Sequence, residues 1–253
     1  MFKMRRFFFG FFSLLLLLSC RTLTNTQNMF FVLPSGELGT IVDNTLIYYY
    51  NDDNKNLIEV QNAGFTLPSG CKSVFDFSHD GTGAIGVVVG NTAKFYYYDD
   101  DNGWDEQQNM EFTLPRGYKS IYTFFSGVIG VAAGNTIKFY YYSYDIHDWN
   151  EIQSMKFTLP NGYKGGFGYF SDEITAIGII VGNTIKFFSF NYNSGWNEMR
   201  DMEFALPSGY EGVFSFSFSI IGVVGVVVDG TVKFYYCHNN VWNEVQGMEF
   251  ISE

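Results

Sequence analysis

A single unit recurs along this chain of 253 residues, and a fixed internal period constrains a fold more strongly than any local motif. Each full unit reads F-x-L-P-x-G-Y, an aromatic run, an Ile/Val run, a two-residue turn, K-F-aromatics, a polar loop, W-x-E and M-x-F. The period is marked by Leu-Pro pairs separated by 34, 47, 45 and 47 residues, at Leu33-Pro34, Leu67-Pro68, Leu114-Pro115, Leu159-Pro160 and Leu206-Pro207. The chain therefore contains four full units and one short unit at the start of the repeats.

The local signals within a unit all indicate β-strands. Residues 74–77 and 121–125 are short aromatic-rich runs, and residues 85–89 form a β-branched run. A two-residue turn follows each β-branched run, where a tight hairpin needs positive φ; the turns are Gly90-Asn91, Gly134-Asn135, Gly182-Asn183 and Asp229-Gly230. The K-F stretch is predicted as a third strand and the stretch from W-x-E to M-x-F as a fourth. Each unit is thus a four-stranded antiparallel meander of about 46 residues.

The strands do not alternate cleanly between apolar and polar residues, so each sheet is expected to be covered on both faces. Four-stranded sheets that pack face to face and close into a ring meet that need. The sequence therefore predicts an all-β, five-bladed β-propeller of four-stranded antiparallel blades. The alternative is an open stack of β-meanders, which needs polar end caps that the sequence does not show.

The short first unit indicates whether the repeats can close into a ring. It lacks a first strand, yet residues 28–33 match the end of a fourth strand, residues 109–114. We therefore predict that residues 28–33 pair with residues 39–42 or their neighbours, and that residues 248–250 lie in the fifth blade beside them. The propeller is predicted to span residues 28–253, with approximate repeats at 28–64, 65–111, 112–156, 157–203 and 204–253.

The N-terminus has the layout of a signal peptide, with a basic head at Lys3, Arg5 and Arg6 followed by a 12-residue apolar run, too short to span a bilayer. Residues 17–20, Leu-Leu-Ser-Cys, resemble the lipobox of bacterial lipoproteins. That resemblance implies a lipoprotein signal peptide at residues 1–19, a lipid such as palmitate on Cys20 and a tether at 20–27. The expected location is the bacterial cell envelope, at the outer membrane or cell surface. The alternative is an ordinary secreted protein with a chance cysteine.

The charge of the chain limits the classes of binding partner, and its cysteine content bears on disulfide bonds. Without residues 1–20, 12 Lys and Arg face 26 Asp and Glu, a net charge of about −14. Such a surface repels nucleic acid and anionic headgroups, so the membrane is expected as a partner only through the lipid anchor. Cys71 and Cys237 stand where other units have tyrosine, so a disulfide framework is not expected, although a single bridge between them stays open.

Catalytic and metal-binding patterns are not evident in the sequence. The three histidines lack a second ligand at metal spacing, and no nucleophile elbow, phosphate loop or dinucleotide fingerprint occurs. The acidic stretch at 99–103 lacks the ligand spacing of an EF-hand and is interpreted as a solvated loop, with single-blade calcium binding left open. We therefore expect a protein that is not an enzyme and has no cofactor.

The recurring W-x-E motif is the candidate ligand-binding feature. A lysine lies nine to eleven residues before each tryptophan, which gives the sets Lys94, Trp104 and Glu106; Lys138, Trp149 and Glu151; Lys186, Trp196 and Glu198; and Lys233, Trp242 and Glu244. An indole face beside a carboxylate and an ammonium suits a sugar ring and its hydroxyls. The alternative is structural, because core positions recur first in repeats: the tryptophan packs between blades and the lysine pairs with the glutamate.

Five blades, units of about 46 residues and a per-blade K-F-aromatic and W-x-E pattern resemble the sugar-binding propellers, such as the fucose-binding lectins and the five-bladed tachylectin type. The resemblance covers residues 29–253 as architecture. Fucose-binding lectins present Arg, Glu and an aromatic around each sugar, and here lysine occupies the basic position. The resemblance implies a surface protein that recognises glycans through equivalent per-blade sites. The alternative is a non-catalytic platform for a surface protein partner.

Overall fold

A computed structural model describes residues 30–32, 38–42, 44–51, 57–59, 64–79, 82–99, 103–125, 127–171, 174–218 and 221–251. The predicted signal peptide, Cys20 and the tether lie outside these residues. The strands are β1 Phe30–Val32, β2 Leu38–Val42, β3 Thr45–Asn51, β4 Leu57–Glu59, β5 Phe65–Thr66, β6 Cys71–His79, β7 Thr82–Val89, β8 Thr92–Asp99, β9 Gly103–Glu106, β10 Phe112–Thr113, β11 Tyr118–Phe125, β12 Val128–Ala133, β13 Thr136–Ser143, β14 Asp148–Glu151, β15 Phe157–Thr158, β16 Tyr163–Phe170, β17 Thr175–Val181, β18 Thr184–Asn191, β19 Gly195–Glu198, β20 Phe204–Ala205, β21 Tyr210–Phe218, β22 Ile221–Val228, β23 Thr231–His238 and β24 Val241–Ile251.

These strands form five antiparallel sheets, which are the blades. The first blade is β1–β5, the second β6–β10, the third β11–β15, the fourth β16–β20 and the fifth β21–β24. Strand order within each blade follows the chain, as expected for a meander. In the part of the chain that the structure describes, no helix has the length and apolar character needed to cross a membrane.

The blades close into a ring. Strand β1 pairs with β2, with Phe30 opposite Thr40 and Val32 opposite Leu38, so the N-terminal segment supplies the strand that the short unit lacks. Strand β1 also contacts β6 on one side and β21 on the other, and β6, β11, β16 and β21 contact one another in sequence. The five-bladed propeller predicted from the repeats is confirmed, and the open stack is excluded.

The predicted two-residue turns are present between the second and third strands. Gly90, Gly134 and Gly182 have φ of 63°, 58° and 61°, as the first position of a type II′ turn requires. In the fifth blade Asp229 and Gly230 both have positive φ, which is the type I′ pattern. These turns fix the register in which the aromatic run of each third strand meets the β-branched run of the second.

The fourth strand differs from the sequence prediction. A single strand was expected from W-x-E to M-x-F, but in the second, third and fourth blades a 3-10 turn divides it, at Gln108–Met110, Gln153–Met155 and Arg200–Met202. The methionine of each turn is buried. The turn breaks the strand because it rotates this methionine into the core, while the residues on either side return to pair with the third strand.

The inner strands converge tightly on the propeller axis. Asp76, Thr123, Gly168 and Ser215 occupy equivalent positions on successive inner strands, each opposite an Ile or Val of the second strand. The hydroxyl of Thr123 donates a hydrogen bond to the main-chain oxygen of Asp76, and Ser215 donates one to that of Gly168. A Cβ atom on Gly168 would overlap the main-chain oxygen of Thr123, so only glycine fits there.

Asp76 is the one carboxyl group among these four equivalent axial residues. Its side chain is half-buried, and burial raises its pKa to about 7. Cys71 and Cys237 are both partly buried and are not bonded to each other.

Candidate functional site

The lysine and glutamate of each repeated set meet on the outer part of a blade. The Nζ to Oε distances are 2.7 Å for Lys94–Glu106, 2.8 Å for Lys138–Glu151, 2.6 Å for Lys186–Glu198 and 3.4 Å for Lys233–Glu244. The lysine lies on the third strand and the glutamate on the fourth, and both side chains remain partly exposed. The sequence pattern thus produces the same ion pair in four blades. We call each pair, together with the residue between Met and Phe of M-x-F, a junction site.

Each junction site faces the preceding blade. Alternate residues of a strand share a face, so Lys94 lies on the same face as Tyr96. The Tyr96 ring packs on Phe65 of the first blade, with ring centres 4.7 Å apart. The same contact recurs at 4.8 Å between Phe112 and Tyr140, which places the site of the third blade against the second. The ion pair therefore lies at the boundary between two blades.

The 3-10 turn explains why the site is open. It interrupts the pairing between the third and fourth strands, whose hydrogen bonds resume on either side, from Gln107 N to Phe95 O and from Leu114 N to Asn91 O. Lys94 spans the interruption, with Glu106 on one side and Glu111 on the other, the latter 3.1 Å away. Lys186 sits in the same way between Glu198 and Glu203, which lies at 2.9 Å.

Hydrogen bonding sets the charge state of the site. The hydrogen bond from Lys94 lowers the pKa of Glu106 and raises that of Lys94, so both groups are charged at neutral pH. Tyr96 donates its hydroxyl to the other oxygen of Glu106 at 3.0 Å. Burial, followed by this hydrogen bond, raises the pKa of Tyr96 to about 12. The site presents fixed donors and acceptors, which suits a neutral, hydroxyl-rich ligand.

The four tryptophans lie beside the ion pairs, but their rings are packed against side chains of the preceding blade. Each indole stacks on an aromatic ring of the preceding blade, with centres 5.1–5.4 Å apart: Trp104 on Tyr48, Trp149 on Phe95, Trp196 on Phe139 and Trp242 on Phe187. The indole nitrogens of Trp149, Trp196 and Trp242 donate to the main-chain oxygens of Met110, Met155 and Met202. The geometry therefore favours the structural alternative for the tryptophans, and sugar stacking on them stays a prediction without contact support.

The first blade lacks this arrangement. Ile47 and Leu57 occupy the positions of the lysine and tryptophan, and only Glu59 matches the other blades. The N-terminal blade therefore offers a natural comparison, with the same fold and Ile47 in place of the junction lysine.

Sequence reasoning missed the second carboxylate of the site. Glu111 and Glu203 stand in M-x-F, beyond the 3-10 turn that follows the W-x-E motif. The signal that could have found them is the middle residue of M-x-F, which is charged in all four full units: Glu111, Lys156, Glu203 and Glu249. The 3-10 turn that brings this residue back to the lysine has no distinct sequence signature.

A metal site is not formed among the described residues, where no group of three or more His, Cys, Asp or Glu side chains is close enough to hold an ion. Residues 100–102 of the acidic stretch considered for calcium lie outside the residues that the structure describes.

The fold has known counterparts among solved structures. AofleA from Arthrobotrys oligospora, as an arginine-to-alanine triple mutant, is 12% identical, with a TM-score of 0.51 over 85% of this chain and 70% of that one. The fucose-specific lectin from Aleuria aurantia is 16% identical, with a TM-score of 0.48 over 82% and 72%. A protein of unknown function from Desulfotomaculum acetoxidans is 13% identical, with a TM-score of 0.48 over 91% and 71%. No protein-family profile and no curated protein matches the chain. At these identities the likeness shows the fold alone, a β-propeller.

Proposed function

We propose that this chain is a non-catalytic carbohydrate-binding protein whose glycan sites are the junction sites of the second to fifth blades. The observation that carries the proposal is the recurrence of one partly exposed Lys–Glu pair at the edge of four blades, with distances of 2.6–3.4 Å. A carboxylate accepts hydrogen bonds from vicinal hydroxyls, and an ammonium donates to them, so the pair can hold the two hydroxyls of one sugar ring.

Repetition strengthens this proposal physically. A single exposed Lys–Glu pair contributes only about 0.2–1 kcal/mol to stability, so stability alone gives little reason for four copies in one geometry. Several weak sites on one rigid ring gain avidity towards a multivalent glycan surface, and the gain needs no additional contact at any site. The fucosides and fucose specificity named for the similar solved structures are compatible with such a ligand class.

The experiment is a glycan array probed with the wild-type chain and with a variant that carries Lys→Met at the four junction lysines. Binding is expected for the wild type and is expected to be lost in the variant, because methionine keeps the length of the side chain and removes its charge. A matched control changes Lys72, Lys119 and Lys164, which share one position on three inner strands, and is expected to bind as the wild type does. Absence of binding by the wild type, or binding that survives the junction substitutions, would contradict the proposal.

A second candidate is a platform for a protein partner, and exposed apolar residues on the loops of the third and fourth blades favour it. Tyr144, Ile146 and Tyr192 are 47%, 62% and 81% exposed. Large exposed apolar residues that cluster on one face mark interaction sites more often than chance exposure does. This candidate predicts a silent glycan array and binding that depends on Tyr192 instead of the junction lysines.

The proposed place of action is the bacterial cell envelope, with the chain held by a lipid on Cys20. The support is the basic head, the apolar run and the Leu-Leu-Ser-Cys sequence of residues 1–20. Cells fed labelled palmitate are expected to incorporate label into the wild-type chain and not into Cys20→Ala. Cys237→Ala is the matched control, because it removes another cysteine and should keep the label. Equal labelling of the wild type and Cys20→Ala would rule out the anchor.

A further inference from the structure

The junction site of the third blade carries one carboxylate fewer than the sites of the second and fourth blades. The middle residue of M-x-F is Glu111 in the second blade and Glu203 in the fourth, but Lys156 in the third. The two glutamates bind the junction lysines, at 3.1 Å from Lys94 and 2.9 Å from Lys186. The second site therefore combines one ammonium with two carboxylates, and the fourth adds the guanidinium of Arg200, 3.5 Å from Glu198. In the third site Lys156 replaces the second carboxylate.

The backbone holds Lys156 in the position of the two glutamates. The φ and ψ angles are −57° and 134° at Glu111, −54° and 128° at Lys156, and −56° and 135° at Glu203. The register also agrees, since Phe157 lies opposite Ile137 as Phe204 lies opposite Ile185. The main chain therefore places Lys156 relative to Lys138 as it places Glu111 relative to Lys94 and Glu203 relative to Lys186.

In the part of the chain that the structure describes, a single carboxylate offsets the positive charge of this site. Lys138 pairs with Glu151 at 2.8 Å, and no other described carboxylate lies at ion-pair distance from either lysine of the site. Lys156 is exposed to solvent. In the second and fourth blades the carboxylates of Glu111 and Glu203 show where an anion rests against the junction lysine, and the third blade has Lys156 in place of that carboxylate.

We infer that the third-blade junction site binds a saccharide that bears a carboxylate, with that carboxylate held between Lys138 and Lys156. The inference rests on the proposed function and narrows it, since the second and fourth sites already carry their own carboxylate and repel a second one. A single chain then carries two kinds of site, one for an acidic sugar residue and others for neutral ones. Charge-assisted hydrogen bonds, donated by two ammonium groups to the carboxylate, favour the acidic saccharide over the neutral one.

The test compares pairs of ligands that differ only at C6, with a hydroxymethyl group in one member and a carboxylate in the other: glucoside and glucuronoside, galactoside and galacturonoside, mannoside and mannuronoside. The full chain is expected to bind the acidic member of at least one pair about tenfold more tightly at low ionic strength. Lys156→Glu, which copies the second and fourth blades, is expected to abolish that preference. Glu203→Lys, which copies the third blade, is expected to add a second site that prefers the acid.

Arg116→Glu is the matched control, because it makes the same change of charge at an exposed position in the turn that leads into the third blade. It is expected to keep the preference for the acidic member. Neutral and acidic members that bind equally to the wild type, or a preference that survives Lys156→Glu, would refute the inference and leave the proposed function standing. Failure of every member to bind would overturn the proposed function and this inference together.

Discussion

Replacing Trp149 by alanine is expected to destabilise the propeller by about 3–5 kcal/mol, the usual cost of removing a large aromatic side chain from a packed interface. The Trp149 indole stacks on Phe95 of the second blade with ring centres 5.1 Å apart, and it also contacts Phe112 and Tyr142. Its nitrogen donates to the main-chain oxygen of Met110 at 2.9 Å, and this acceptor loses its partner in the variant. At about 2–4 °C per kcal/mol for a chain of this size, thermal melts should show a fall in Tm of about 10 °C.

Two variants define the origin of this loss. Trp149→Phe keeps a ring against Phe95 and should recover part of the stability, but not the hydrogen bond to Met110. Tyr192→Ala removes an aromatic ring that is 81% exposed and should melt close to the wild type. A Trp149→Ala protein with an unchanged Tm would show that the indole is not needed for packing and would return Trp149 to the list of ligand-binding residues.

Replacing Asp76 by asparagine is expected to stabilise the protein by about 2–4 kcal/mol at pH 8 and to have little effect near pH 4. Burial raises the pKa of Asp76 from 3.8 to about 7 in the folded chain. Below pH 4 the group is protonated in both the folded and the unfolded chain, so it does not lower the free energy of unfolding. Between pH 4 and pH 7 only the unfolded chain ionises, so stability falls as the pH rises and levels off above pH 7. Asparagine has no charge to bury and removes this loss.

The measurement is the difference in free energy of unfolding between wild type and Asp76→Asn across this pH range. The hydrogen bond from Thr123 reaches the main-chain oxygen of Asp76, so the substitution preserves it. Asp201→Asn removes a charge from an exposed position and controls for the change in net charge. An Asp76→Asn protein that is no more stable than the wild type at pH 8 would show that the axial carboxyl is solvated or paired.

The repeats predicted most of the fold because each blade obeys local rules that sequence displays. The Gly-Asn and Asp-Gly turns fix hairpins, and runs of β-branched and aromatic residues without alternation require cover on both faces. Closure followed from the match between residues 28–33 and the end of a fourth strand, and the pairing of β1 with β2 confirms it. The division of the fourth strand by a 3-10 turn was not predicted, since M-x-F after W-x-E reads equally well as one continuous strand.

The site was only partly visible from sequence. The cross-strand pairing of Lys94 with Glu106 follows from the register of the third and fourth strands, in which Glu106 lies opposite Tyr96, two residues from Lys94 on the same face. The role of the tryptophans could not be decided, because a residue that recurs in every blade looks the same whether it packs or binds. The stacking of Trp149 on Phe95 is a contact between blades, and contacts between units are what a repeat pattern leaves unspecified.

The central claim, that the junction sites bind glycans, is tested most directly by calorimetric titration. The wild-type chain is titrated with the saccharide that binds most tightly on the array, and the same titration is repeated with each single Lys→Met variant at Lys94, Lys138, Lys186 and Lys233. Four junction sites on one ring predict that more than one saccharide binds per chain, and that each lysine whose site takes that saccharide lowers the stoichiometry by one when it is replaced. A stoichiometry of one that none of the four substitutions changes would contradict the assignment of the junction sites as the glycan-binding sites.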